Sequence, residues 1–218
     1  MTEHHINVNR TARYFTLSEP SPEVRYCWIV FHGMGQLAER FIKRFEGLEQ
    51  PTHFVVAPEG LSRYYVDAAA MRVGASWMTK EDRLAEIEDQ RTYLNALYDQ
   101  LRKQLPRDCQ YIGLGFSQGV ATLSRWLAQD YLDLDLDHTI LWAGTPPEDT
   151  PFWQAPSFQK PVWMVYGEQD PIVTPAKMKK KVEWMESEGV EVKTLAFEGR
   201  HEVTSSALVK LTNSIIEK

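Results

Sequence analysis

The chain has 218 residues, of which 43% are hydrophobic and 25% charged, a balance that suits a single domain over 1–218 needing neither disulfides nor metals to fold. The net charge of -6, with no basic stripe interleaved with aromatics, argues against nucleic acid as a partner. No apolar run nears the roughly 20 residues of a membrane span, and the polar first ten residues lack the apolar core of a secretory signal, so a cytoplasmic location is expected.

In chain order, residues 6–17 read as one long or two short antiparallel edge strands. Short apolar runs at 26–31, 53–57, 111–116, 139–142, 162–166 and 190–197 suit strands buried on both faces. Between them lie amphipathic helical stretches at 81–104, 118–131, 175–189 and 203–216, the third opening with Pro175 and stopping at Gly189. Alternation of this kind predicts an α/β fold, with a mostly parallel central sheet and helices on both faces. Cys27 and Cys109 fit reduced core thiols, brought close if their two strands are parallel neighbours. Two longer connections, 59–80 and 144–160, leave carboxyl ends of strands, where an open parallel sheet has its ligand crevice. Aromatic and sulfur side chains in and beside them (Trp77, Met78, Trp142, Phe152 and Trp153) are expected either to wall a substrate pocket or to pack under the loops.

The most informative motif is Gly115-Phe116-Ser117-Gln118-Gly119. It follows an apolar strand and opens an amphipathic helix, the setting a nucleophile elbow requires. The glycines permit a sharp turn, and the strained tip exposes the Ser117 hydroxyl at a helix N-terminus. A serine is a poor nucleophile until a base takes its proton. Of six histidines, His201 lies after the last strand and before the final helix, where a loop can carry its ring over the sheet edge. A carboxylate must in turn orient that ring. Asp170, in Gly167-Glu168-Gln169-Asp170-Pro171, is the favoured group, with Glu168 as its competitor. Serine, aspartate and histidine then follow in the order of α/β-hydrolases. The run His32-Gly33-Met34-Gly35 after the first apolar strand offers backbone donors, so the N–H groups of Met34 and Gln118 are the expected oxyanion hole.

Taken together, these residues resemble the α/β-hydrolase superfamily from Tyr26 to the C-terminus. The His32-Gly33-Met34-Gly35 and Phe116-Ser117-Gln118-Gly119 elements, with no room for a large cap domain, are similar to the phospholipase/carboxylesterase family, which includes acyl-protein thioesterases. That resemblance implies Ser117 as nucleophile, His201 as base, Asp170 as orienting acid, and Met34 and Gln118 as oxyanion donors. It implies no metal and no organic cofactor. The chain departs from the family at Val120, where a second glycine is frequent, and in the number of tryptophans near the expected pocket. A small-molecule ester is the expected substrate. A thioesterase or peptidase on the same fold, and a non-catalytic binding module, are the alternatives.

Overall fold

The computed structural model describes residues 1–129 and 134–216. Its elements run β1 (Tyr14–Thr16), β2 (Tyr26–Phe31), α1 (Ala38–Phe41), β3 (His53–Pro58), β4 (Ser62–Asp67), β5 (Arg72–Ser76), α2 (Arg83–Gln104), β6 (Gln110–Phe116), α3 (Gln118–Leu127), β7 (His138–Trp142), β8 (Val162–Gly167), α4 (Pro175–Ser187), β9 (Val192–Phe197) and α5 (Ser205–Ile216). A 3-10 helix over Ile42–Leu48 continues α1, and two short ones, Phe152–Gln154 and Pro156–Phe158, follow β7. The N-terminal expectation shortens to β1 alone, paired antiparallel with β3 through Tyr14 and Pro58. The helix expected over 118–131 ends at Leu127, and the last two positions of its expected span, 130 and 131, lie outside the described residues.

Seven strands form one sheet in the order β1-β3-β2-β6-β7-β8-β9, parallel except for β1. Period-two alternation explains the double burial. In β2, Cys27, Ile29 and Phe31 join the core under α2, α3 and α4, while Trp28 and Val30 join the core under α1 and α5. Fully burying one such Ile or Phe side chain contributes about 1.5–3 kcal/mol. Cys27 and Cys109 are both buried and unbridged, and burial pushes the Cys109 thiol up to about 12. Among the described residues no helix is long and apolar enough to cross a membrane.

The topology also fixes where a site can form. From β2 the chain moves outward to β3, then crosses by α2 to β6 on the other flank of β2. The loops after β2 and β6 therefore diverge and leave a crevice at this switch point. The connection after β3 is not a plain loop: β4 and β5 form an antiparallel hairpin, tied to the segment after β2 by a bridge between Gln36 and Ala75. Its turn reaches Met71 with a positive φ of 49°.

Buried polar residues brace this architecture. Glu59, 1% exposed, accepts from Arg13 Nε at 2.6 Å, Arg63 Nη1 at 3.2 Å and the Ala38 N–H at 3.1 Å. Burial alone would raise its carboxyl, but these donors hold it below the ordinary range. His32 is fully buried, with Nδ1 2.8 Å from the Gly33 carbonyl and Nε2 accepting the Gly60 N–H at 3.0 Å. Both contacts suit the neutral ring, and burial lowers its affinity for a proton. Burial does the same to His53, whose Nδ1 accepts from Trp28 Nε1 at 3.1 Å, and to His138.

These shifts predict an acid-sensitive fold. Below about pH 6.5 the unfolded chain takes up protons that the buried imidazoles refuse, so stability present above that value drains away as pH falls. Glu59, with its folded value depressed, adds a second loss through the carboxylate range. The urea midpoint should therefore drop as pH falls from 7 to 5, His32 contributing through its lowered folded value. A midpoint unchanged over that interval would contradict the buried, neutral assignment.

Candidate active site

Ser117 stands between β6 and α3 with φ 54° and ψ -116°, a conformation that costs a non-glycine residue about 1–3 kcal/mol. Close backbone approach enforces it. A Cβ on Gly115 would lie 2.6 Å from the Gly119 carbonyl oxygen, and one on Gly119 would lie 2.3 Å from that of Phe31. Only hydrogen fits at either place, so the strand enters and the helix leaves almost in contact. The Ser117 N–H donates to the Trp142 carbonyl at 2.9 Å, which leaves the half-buried side chain at the tip of the turn.

The loops after β8 and β9 run together along the same edge. Gly167 is paired with Phe197 in the ladder, and a Cβ on it would meet the Arg200 carbonyl oxygen at 2.4 Å. The Glu168 and Gln169 N–H groups donate to the carbonyls of Phe197 and Gly199, each at 2.9 Å. This zipper carries Asp170 to His201: Oδ2 lies 2.7 Å from Nδ1. The other oxygen, Oδ1, accepts the Ile172 and Val173 N–H groups at 2.8 and 2.9 Å. On the far side of the ring, Nε2 lies 2.9 Å from Ser117 Oγ. A carboxylate only accepts, so the ring proton sits on Nδ1 and the Nε2 lone pair faces the hydroxyl. Asp170 is buried, whereas Glu168 is exposed.

Met34 and Gln118 also lie at the switch point. Gly33 is so near the serine that a Cβ on it would be 3.2 Å from Ser117 Cβ. Neither the Met34 nor the Gln118 N–H donates to another group among the described residues. The Gln118 side chain has a structural task that sequence reasoning did not anticipate. Its Oε1 accepts the Trp77 N–H at 3.1 Å and its Nε2 donates to the Met78 carbonyl at 2.8 Å, pinning the end of the hairpin beside the serine. Glu59 was likewise unmarked in the sequence, although an acidic residue directly after a fully buried strand was an available signal.

The expected pocket walls are divided by the structure. Trp77, Trp142 and Phe152 have no exposed surface and offer a ligand none. Trp77 stacks on His32 and donates to its carbonyl at 2.8 Å. Trp142 donates to the Glu202 carbonyl at 2.9 Å and steadies the chain just past His201. Phe152 packs between Trp153, Phe158 and Trp184. These three are packing residues under the loops, the second of the two readings offered for them. Met78 and Trp153 are half-buried. The grouping of potential metal ligands found among the described residues is Glu3, His5 and Asp82, all exposed and none of them part of the serine cluster.

A mostly parallel sheet covered on both faces, with a strained serine turn at its switch point, defines an α/β-hydrolase. Solved structures with this fold include acyl-protein thioesterase 2 of Zea mays, 15% identical with a TM-score of 0.69, the match covering 95% of this chain and 99% of that one. A Bacillus cereus carboxylesterase is 16% identical with a TM-score of 0.68, over 96% of this chain and 95% of the other. Esterase PE8 is 20% identical with a TM-score of 0.68, over 95% and 99%. Among curated proteins, no relative matches the chain. The family model described as serine hydrolase (FSH1) matches residues 28–211, and the chain belongs to that family. It is a serine hydrolase.

Proposed function

We propose that the protein hydrolyses small carboxylic esters through an acyl-enzyme. Ser117 attacks the ester carbonyl while His201 Nε2 takes the hydroxyl proton, and Asp170 holds the ring and stabilises the imidazolium. The carbonyl oxygen, as it gains charge, rests on the N–H groups of Met34 and Gln118. His201 passes its proton to the leaving alkoxide, and water, activated by the same ring, then releases the acid. Every step is assigned to a group of this chain, and no metal or organic cofactor enters. The observation that carries the reading is the continuous chain of contacts from Asp170 Oδ2 through the imidazole to Ser117 Oγ, at 2.7 and 2.9 Å. We place the protein in the cytoplasm, a reading supported by its two unbridged buried cysteines.

The leaving group is tested by comparing kcat/KM for an oxoester, a thioester and an anilide of one short acyl group. Cleavage of the oxoester with the anilide left intact is the expected result. A thioester cleaved faster than the oxoester would move the assignment to a thioesterase, and rapid anilide cleavage would move it to a peptidase.

A further inference from the structure

A groove of about 650 Å³ opens beside Met34, between the segment after β2 and the β4–β5 hairpin. Its lining includes Arg40 on α1, Arg44 on the 3-10 helix that continues it, Arg72 at the start of β5, and Tyr64, yet no aspartate or glutamate. That is unexpected in a chain with 30 acidic and 24 basic residues. None of the three guanidinium groups is ion-paired with a described residue, although acidic side chains are at hand. Asp67, which faces Arg72 across the hairpin ladder, turns its Oδ1 to the Ala70 N–H, and Glu59 is committed to Arg13 and Arg63. The hairpin is fixed against the groove's other wall: the Gly35 N–H donates to the Ala75 carbonyl at 2.8 Å, and a Cβ on Gly74 would lie 2.3 Å from the Gly35 oxygen. The three arginines thus line one groove together with the proposed oxyanion donor Met34.

We propose that this groove is a specificity subsite for an oxoanion, so that the preferred esters carry a carboxylate or phosphate several atoms from the scissile carbonyl. Planar guanidinium forks match the oxygen pairs of either group, and a cluster of them attracts such substrates from solution. The inference rests on the ester-hydrolase reading and deepens it by naming the substrate class.

The test compares p-nitrophenyl valerate with the mono-p-nitrophenyl ester of glutaric acid, similar in length but ending in a carboxylate, on the full chain and on Arg40→Ala/Arg72→Ala. The unaltered protein should favour the glutarate ester by about tenfold in kcat/KM, which corresponds to about 1.4 kcal/mol. The double variant should lose that preference while its valerate activity stays within about twofold, since neither arginine is assigned to the chemistry. Arg40→Lys/Arg72→Lys, which keeps the charge, should retain part of the preference, and 0.5 M salt should weaken it. Competitive inhibition by glutarate or by inorganic phosphate separates the two sources of the oxoanion, and the tighter inhibitor names it. Equal rates for the two esters in the unaltered protein, or a preference untouched by the double variant, would overturn the subsite. Failure to cleave either ester would instead overturn the ester-hydrolase reading on which it rests.

Discussion

Replacing Ser117 with alanine is expected to lower kcat for a p-nitrophenyl ester by about five orders of magnitude, with little change in KM or in melting temperature. The substitution removes one hydroxyl and keeps the Cβ, so the contacts of the elbow survive. The backbone at φ 54° is set by the close approaches of Gly115 and Gly119 rather than by the serine side chain. What disappears is the only oxygen within hydrogen-bond distance of His201 Nε2 among the described residues, at 2.9 Å. The two backbone donors remain, so a small residual rate above solution hydrolysis should persist. A variant retaining more than about a tenth of the original rate would mean that another group delivers the nucleophile.

Asp170→Asn should cost about four orders of magnitude in kcat while leaving the fold in place. The two carboxylate oxygens of Asp170 have separate duties. Oδ1 accepts from Ile172 and Val173, and Oδ2 faces His201 Nδ1. An amide in the same place keeps its oxygen where two N–H groups require an acceptor, which turns its NH2 toward Nδ1. The ring must then carry its proton on Nε2 and point that proton at Ser117 Oγ, where a lone pair is needed. The melting temperature should move little, because both backbone donors stay satisfied. A loss below about tenfold would show that the imidazole is oriented by some other carboxylate, with Glu168 the first to examine.

Much of this site could be read from the sequence because chemistry-bearing residues sat in distinctive local settings. Ser117 lay between two glycines at a strand-to-helix junction, His201 stood between the last strand and the last helix, and Asp170 followed a strand within a turn sequence. The sheet was equally visible, since strands buried on both faces leave continuous apolar runs such as Tyr26-Cys27-Trp28-Ile29-Val30-Phe31. The aromatics in the connections gave no such information. An indole in a loop can face a ligand or the core, and only the tertiary partner decides; for Trp77 it was the His32 carbonyl and for Trp142 the Glu202 carbonyl. The β4–β5 hairpin was hidden by its own turn, Asp67-Ala68-Ala69-Ala70-Met71, which is built from residues with little turn preference. Missing the hairpin also concealed the groove, because Arg72 and Arg40 are 32 positions apart in the sequence and become neighbours only when the hairpin docks.

Covalent trapping tests the central claim most directly. After incubation with a fluorophosphonate, the intact protein should gain the mass of one phosphonyl group, and peptide mapping should place it on Ser117, with no gain in Ser117→Ala or after acid unfolding. A protein that cleaves esters yet leaves Ser117 unmodified, or that carries the adduct on a different residue, would contradict the account.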